Sequence, residues 1–198
     1  IEVIDPLSSL RVICDEGDWG ISCDLTWTGS FPVVKEQPHI MTKGDKVILN
    51  ACRFAQVGSW EGTLVVDGVT YDVTPDTWLG TRDRSWGIRP VGGPEPSGRG
   101  DAEMPADWGM WWVYCPLRFD DFALVTIVQE DGSGYRVLND ASMATADGVT
   151  QTGWPIVDID YVSGTRMAQG ATFHMADANG RPITAEGECL AHVALNCG

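Results

Sequence analysis

Thr63-Leu64-Val65-Val66-Asp67-Gly68-Val69-Thr70-Tyr71 reads as two short strands around a two-residue turn. Asp-Gly at the centre suits the positive φ that tight hairpin turns require, and the flanks are rich in Val, Leu, Thr and Tyr. The same period-two grammar extends upstream, where Ile21, Cys23, Leu25 and Trp27 alternate with Ser22, Asp24, Thr26 and Thr28. Lys46 to Phe54 is a strand candidate with both faces partly apolar. Downstream, Met110 to Cys115 and Phe122 to Glu130 form a second pair joined through Pro116 to Asp121. Asp131-Gly132-Ser133-Gly134 turns the chain into Tyr135 to Leu138; Ile156 to Tyr161, Thr172 to Met175 and Cys189 to Leu195 follow, with a tight turn at Asn179-Gly180. No segment carries a convincing helical period. Many antiparallel strands with regular turns predict an all-β protein, a sandwich or a barrel.

The one shift in composition is Val91 to Trp108, rich in Gly and Pro, which predicts a long loop or linker. The division it implies falls near residue 95, giving an N-terminal β-domain over 1–95 and a C-terminal β-domain over 96–198. A chain of 198 residues buries a good core as one domain or as two small ones. Its net charge of −15 repels nucleic acid and anionic membrane surfaces, so neither is expected as a partner. No apolar run is long enough to span a membrane as a helix. The chain begins Ile1-Glu2-Val3 and ends within an apparent strand, as a piece of a longer protein would.

Six cysteines (Cys14, Cys23, Cys52, Cys115, Cys189 and Cys197) form no C-x-x-C pair, and the three histidines lie far apart. No metal site is therefore expected. Several of the thiols sit at alternating apolar positions and read as small buried residues of a reducing, cytoplasmic compartment. Pairing of Cys14 with Cys23 across a hairpin stays open. No phosphate loop is present, since Gly92-Gly93 and Gly132-Ser133-Gly134 lack the strand-to-helix context, and no cofactor is expected.

The densest chemistry lies in Gly80-Thr81-Arg82-Asp83-Arg84-Ser85-Trp86-Gly87-Ile88-Arg89-Pro90. As a strand it sends Asp83, Ser85 and Gly87 to one face and Arg82, Arg84 and Trp86 to the other. A purely structural reading makes it a hub of ion pairs with Trp86 largely buried. Nine tryptophans are many for this length. In Met110-Trp111-Trp112-Val113-Tyr114-Cys115, alternation groups Met110, Trp112 and Tyr114 against Trp111, Val113 and Cys115. Either these rings fill a large core, or Trp112 and Tyr114 turn inward to line a cavity for an apolar ligand.

Gly58-Ser59-Trp60-Glu61-Gly62, the hairpin ending Tyr71-Asp72-Val73, and Trp78 to Pro90 together resemble the AttH/carotenoid 1,2-hydratase-like (hydroxyneurosporene synthase-like) superfamily. The likeness covers Gly58 to Pro90 closely, and Trp111 to Glu130 more loosely. It implies two lipocalin-like β-barrels or half-barrels in tandem, and hydratase, dehydratase or cyclase chemistry on an isoprenoid-like or polyketide-like substrate. The superfamily's Asp-His-Ser-Trp-Gly element stands here as Asp83-Arg84-Ser85-Trp86-Gly87, so Arg84 replaces the histidine and no proton relay through that position carries over. Incomplete barrels would leave open sheet edges, which invite self-association.

Such chemistry needs an acid beside a dry aromatic pocket. Asp83 is the first candidate, although flanking arginines favour its ionised form. Asp158 and Asp160, on one face of Ile156 to Tyr161, are the second. If that face is buried, repulsion would turn one of them into a proton donor; on an exposed strand they are solvated acids. His39 and His174 are general acid or base candidates without a motif, and a lone strand histidine is usually structural. Ser85 has neither a histidine neighbour nor a nucleophile elbow, which excludes hydrolase chemistry of that type. The expected binding residues are Trp86, Trp112, Tyr114 and His174. Two functions remain open: a cofactor-free acid–base enzyme, or a lipocalin-like carrier of a hydrophobic ligand.

Overall fold

The computed structural model describes residues 1–43, 45–88 and 110–193, the side chains of residues 43 and 46 excepted. The expected linker from Val91 to Trp108, together with Arg89, Pro90 and Cys197, lies outside the described residues. Fifteen strands and no helix are present among those described. The strands are β1 (Glu2–Asp5), β2 (Ser9–Cys14), β3 (Ile21–Gly29), β4 (Val34–Lys35), β5 (His39–Lys43), β6 (Lys46–Val66), β7 (Val69–Val73) and β8 (Leu79–Ile88) in the first sheet. A second sheet holds β9 (Met110–Arg118), β10 (Phe122–Asp131), β11 (Arg136–Thr145) and β12 (Gly148–Gln151); a third holds β13 (Ile156–Tyr161), β14 (Ala168–Ala176) and β15 (Pro182–Glu188). Every pairing is antiparallel, and no sheet closes on itself among the described residues.

The Asp67-Gly68 hairpin forms as its sequence demands, with both residues at positive φ (50° and 78°) and Val66 opposite Val69. Its first strand is far longer than the local pattern implies. β6 runs for 21 residues and is the spine of the first sheet, pairing β3, β4 and β5 along one edge and β7 and β8 along the other. The side of β6 that is apolar changes along its length. Ala51, Ala55 and Val57 are buried at odd positions, whereas beyond Gly58 the apolar residues are the even Trp60, Leu64 and Val66, with Val65 at the one odd position. Gly58 sits at the change, where a Cβ would overlap the Thr28 carbonyl and the fully buried Trp27 ring.

The second sheet is the middle layer. One core cluster joins Val34, Ala55 and Val57 to Ala123, Val125 and Ala144; another joins Leu124 and Ala141 to Phe173, Met175 and Ala185. Alternate residues of β10 thus serve opposite cores, and seven consecutive residues from Ala123 to Gln129 are buried. This double packing explains why both faces of β9 are apolar. Tyr114 packs on the first core, and Val113, Cys115 and Leu117 pack on the second.

Two local expectations need correction. The last strand among the described residues is Pro182–Glu188, whereas a strand is expected from Cys189 to Leu195. No strand forms over Cys189 to Val193, where His192 Nε2 bonds the Ala168 carbonyl and the Cys189 thiol bonds the Ala191 carbonyl. Ala194 and Leu195 lie outside the described residues. The turn at Asn179-Gly180 feeds β15 directly: Gly180 adopts φ 77° and Asp177 accepts the Asn179 and Arg181 N–H groups. Trp86, expected to be largely buried, is 47% exposed, because it lies on the face of β8 turned away from the second sheet.

Candidate functional site

β4 is only two residues long, yet it brings Glu36 directly beside β6. The Glu36 N–H donates to the Arg53 carbonyl, continuing the ladder in which Lys35 faces Phe54. The carboxylate then lies under the second sheet, 3% exposed, with Oε2 2.9 Å from Arg53 Nε. Arg53 shares the inward face of Ala51, Ala55 and Val57, and its guanidinium stacks 4.9 Å from the centre of the Trp112 ring. On the same indole, the buried His39 ring stacks at 6.0 Å and 28°. Tyr114, two residues along β9, packs against the first core, and its buried hydroxyl makes no hydrogen bond among the described residues.

Asp140 approaches from β11. It shares a strand face with Leu138, Ser142 and Ala144, all buried, and its Oδ2 accepts the Gln37 N–H at 2.6 Å while Oδ1 accepts Gln151 Nε2 at 3.3 Å. Burial pushes the Glu36 carboxyl up to about 7; Arg53 opposes the shift, and the negative charges of Asp140 and Asp83 add to it. Burial likewise raises the Tyr114 phenol, with Glu36 and Asp83 contributing. Glu36 and Asp140 border a cleft of about 320 Å³ that Gln37, Gln151, Thr152 and Trp154 also line, the Glu36 carboxyl oxygens themselves being covered. The arrangement can do proton chemistry. A covered carboxyl group poised near neutrality lies beside a polar cleft, a fixed cation stands ready for its conjugate base, and a second carboxylate accepts N–H groups at the cleft wall.

The residues singled out in the sequence fall in three places. Asp83 is exposed on β8, opposite Ala55 and on the face of β6 that carries Arg53, so its charge reaches Glu36. Trp112 and Tyr114 stand at the same junction between the first and second sheets, but Trp112 lies beneath Arg53 and His39, and neither ring lines the cleft. Trp86 is on the opposite face of β8, 6.3 Å from the Phe54 ring. Asp158 and Asp160 do share a strand face, and both are exposed. His174 Nε2 is 3.5 Å from Asp158 Oδ2, and Gln169 Nε2 donates to Asp160 at 2.7 Å. No group of three or more potential metal ligands occurs among the described residues.

Glu36, Arg53 and Asp140 were not singled out by the sequence. Two of them carry a signal that reading passes over: a charged residue at an inward position of an alternating strand. Arg53 stands between Ala51 and Ala55, and Asp140 between Leu138 and Ser142. Glu36, in Val33-Val34-Lys35-Glu36-Gln37, carries none, because only the pairing of a two-residue strand places it.

The sequence model of a family of unknown function, DUF8625, matches residues 1–193, and the chain belongs to that family. No curated protein and no solved structure matches it.

Proposed function

We propose that the protein is a cofactor-free acid–base enzyme, a hydratase or dehydratase or a cyclase started by the same proton, with Glu36 as the acid. The observation that carries this reading is the Glu36 carboxyl itself. It is buried, it titrates near neutrality, and its residue borders a cleft, with both carboxyl oxygens covered beneath the cleft wall. In dehydration, Glu36 gives its proton to a substrate hydroxyl, the C–O bond breaks with loss of water, and a base removes a proton from the neighbouring carbon. Arg53, already 2.9 Å from Glu36, stabilises the carboxylate that proton transfer creates and needs no rearrangement to do so. Asp140 is the base candidate, its carboxylate positioned by Gln37 and Gln151. Asp83 acts through its charge on Glu36. The substrate brings a hydroxyl or an alkene to Glu36. The polar lining favours a molecule hydroxylated at that end over the wholly apolar isoprenoid-like or polyketide-like compound that the superfamily resemblance implies.

The test is a panel of alcohols and alkenes, with gain or loss of one water followed by mass. Turnover is expected to fall as pH rises through about 7, where Glu36 loses its proton. Glu36→Gln should abolish it, and Asp140→Asn should lower it by ~10²-fold or more. Saturable binding without turnover throughout the panel would sink the enzymatic reading.

A second reading, the lipocalin-like carrier, rests on a different surface. Beyond Gly58 the even side of β6 with its neighbours in β3 and β7 is apolar and incompletely covered: Leu25, Leu64 and Val66 are half-buried, and Val69 and Tyr71 are exposed. A curled half-barrel of the lipocalin type would hold its ligand against such a face. An apolar ligand whose binding is disturbed by Leu64→Asp and untouched by Glu36→Gln would favour this reading.

A further inference from the structure

Trp154 is 82% exposed, and it lines the Glu36–Asp140 cleft. An indole in water is costly, and most exposed aromatics can swing into cover. The backbone on both sides of this one is anchored. The Gly153 N–H donates to the Ala176 carbonyl at 2.6 Å, and Pro155 is buried, its carbonyl accepting Arg136 Nη1 at 2.8 Å. These bonds anchor the chain on either side of Trp154 and leave its indole at the rim of the cleft. Tryptophan offers a large contact area at low entropy cost, because only two χ angles are ordered on binding.

The rest of the lining is a mixture of donors and acceptors. Lys35 supplies an ammonium, Gln37 and Gln151 supply amides, Asp140 a carboxylate and Thr152 a hydroxyl. A ligand meeting all of these must both donate and accept at closely spaced points. Phosphate and sulfate meet Lys35 as the sole lining cation among the described residues, with Glu36 and Asp140 against them. A wholly apolar ligand would strip water from amides and a carboxylate without replacing those bonds, at roughly 1–3 kcal/mol for each group left unsatisfied. Both Glu36 carboxyl oxygens are covered, so the hydroxyls of a ligand in the cleft meet Asp140 rather than Glu36.

We infer that the cleft takes a polyhydroxylated ring of the saccharide class, its C–H face stacked on Trp154 and its vicinal hydroxyls bonded by Asp140, Gln151 and Gln37. Sugars combine the two properties the site separates. Their ring faces carry C–H bonds of partial positive charge, which suit the negative face of indole. Their edges carry hydroxyls that donate and accept at once. The volume of about 320 Å³ lies at the small end of ligand pockets (roughly 300–1,000 Å³), which fits one ring in the cleft. The inference rests on the proposed function for its location only, since binding requires no proton transfer.

The experiment is saturation-transfer NMR and calorimetry on the whole chain with a panel of neutral mono- and disaccharides. Uncharged nucleosides and a long-chain alcohol complete the panel. At least one saccharide should bind saturably in the millimolar range or tighter, with transfer strongest to the C–H protons of one ring face. Trp154→Ala, a change at an exposed position, should weaken it by about tenfold or more, and Gln151→Ala by several-fold. Glu36→Gln should keep saccharide binding within about threefold even where it removes turnover, which separates failure of this inference from failure of the enzymatic reading. Three outcomes would overturn it: no saccharide binds, binding survives Trp154→Ala unchanged, or only nucleosides or the alcohol compete for the cleft.

Discussion

Glu36 illustrates how much a single buried carboxyl sets. Its folded form titrates near 7 and its ordinary value is 4.5, so between these pH values the folded state holds a proton that the unfolded chain has released. Stability from this group is therefore complete below 4.5, declines as pH rises through the window, and is flat above about 7. The swing has an upper limit on the order of 3 kcal/mol. Glu36→Gln should remove that slope: denaturant unfolding of wild type and variant at pH 5 and pH 8 should differ in their pH dependence by a few kcal/mol at most. A variant with the same slope as wild type would place the titration elsewhere. Above pH 7, Arg53→Met should be worse than Glu36→Gln, since it strands a buried anion at a cost of roughly 3–5 kcal/mol. None of this was legible in the residues around Glu36. Its neighbours in space come from β6, β8 and β11, and a carboxylate's environment is a tertiary property.

At the scale of elements, legibility followed locality. The turns at Asp67-Gly68, Asp131 to Gly134 and Asn179-Gly180 were readable because the backbone angles they need restrict the residues that can supply them. The length of β6 was not readable. A period-two reading breaks where the apolar parity changes at Gly58, so one strand looks like two. Gly58→Ala should test that geometry, because the methyl group meets Thr28 backbone and Trp27 rather than solvent. A loss of about 2 kcal/mol or more is expected, against roughly 1 kcal/mol for Gly68→Ala, whose penalty is positive φ alone. The hairpin of β2 and β3 makes a separate prediction. Cys14 and Cys23 are free thiols standing directly opposite in the register. Cα atoms of a hydrogen-bonded pair lie ~5.5 Å apart, within the disulfide range. Oxidised glutathione should accept two electrons from the pair, forming one Cys14–Cys23 bond and two reduced glutathione molecules. Non-reducing peptide mapping should recover the linked peptide; two separate glutathione adducts instead would refute it.

For the molecule as a whole, all-β architecture was legible from the strand code, whereas the layering was not, because it depends on which sheet covers which. The clue lay in Phe122 to Glu130, where apolar residues at both parities leave no face for water. Read from one strand, that pattern also suits a strand beside a cavity. The packing decides in favour of two cores. Leu124 is fully buried toward the third sheet and Val125 is buried toward the first. Their truncations should therefore differ in place more than in size. Leu124→Ala should cost roughly 2–5 kcal/mol and Val125→Ala somewhat less, since fewer methyl groups are lost. Hydrogen exchange under native conditions should separate them. Leu124→Ala should raise exchange first in β14 and β15, and Val125→Ala first in β6 near Ala55 and Val57. If both variants open the same strands at the same rate, the two cores unfold as one unit. The middle sheet would then be a rigid coupler, and a strain introduced at the Glu36 cleft would be felt in the third sheet, far from any group that moves a proton.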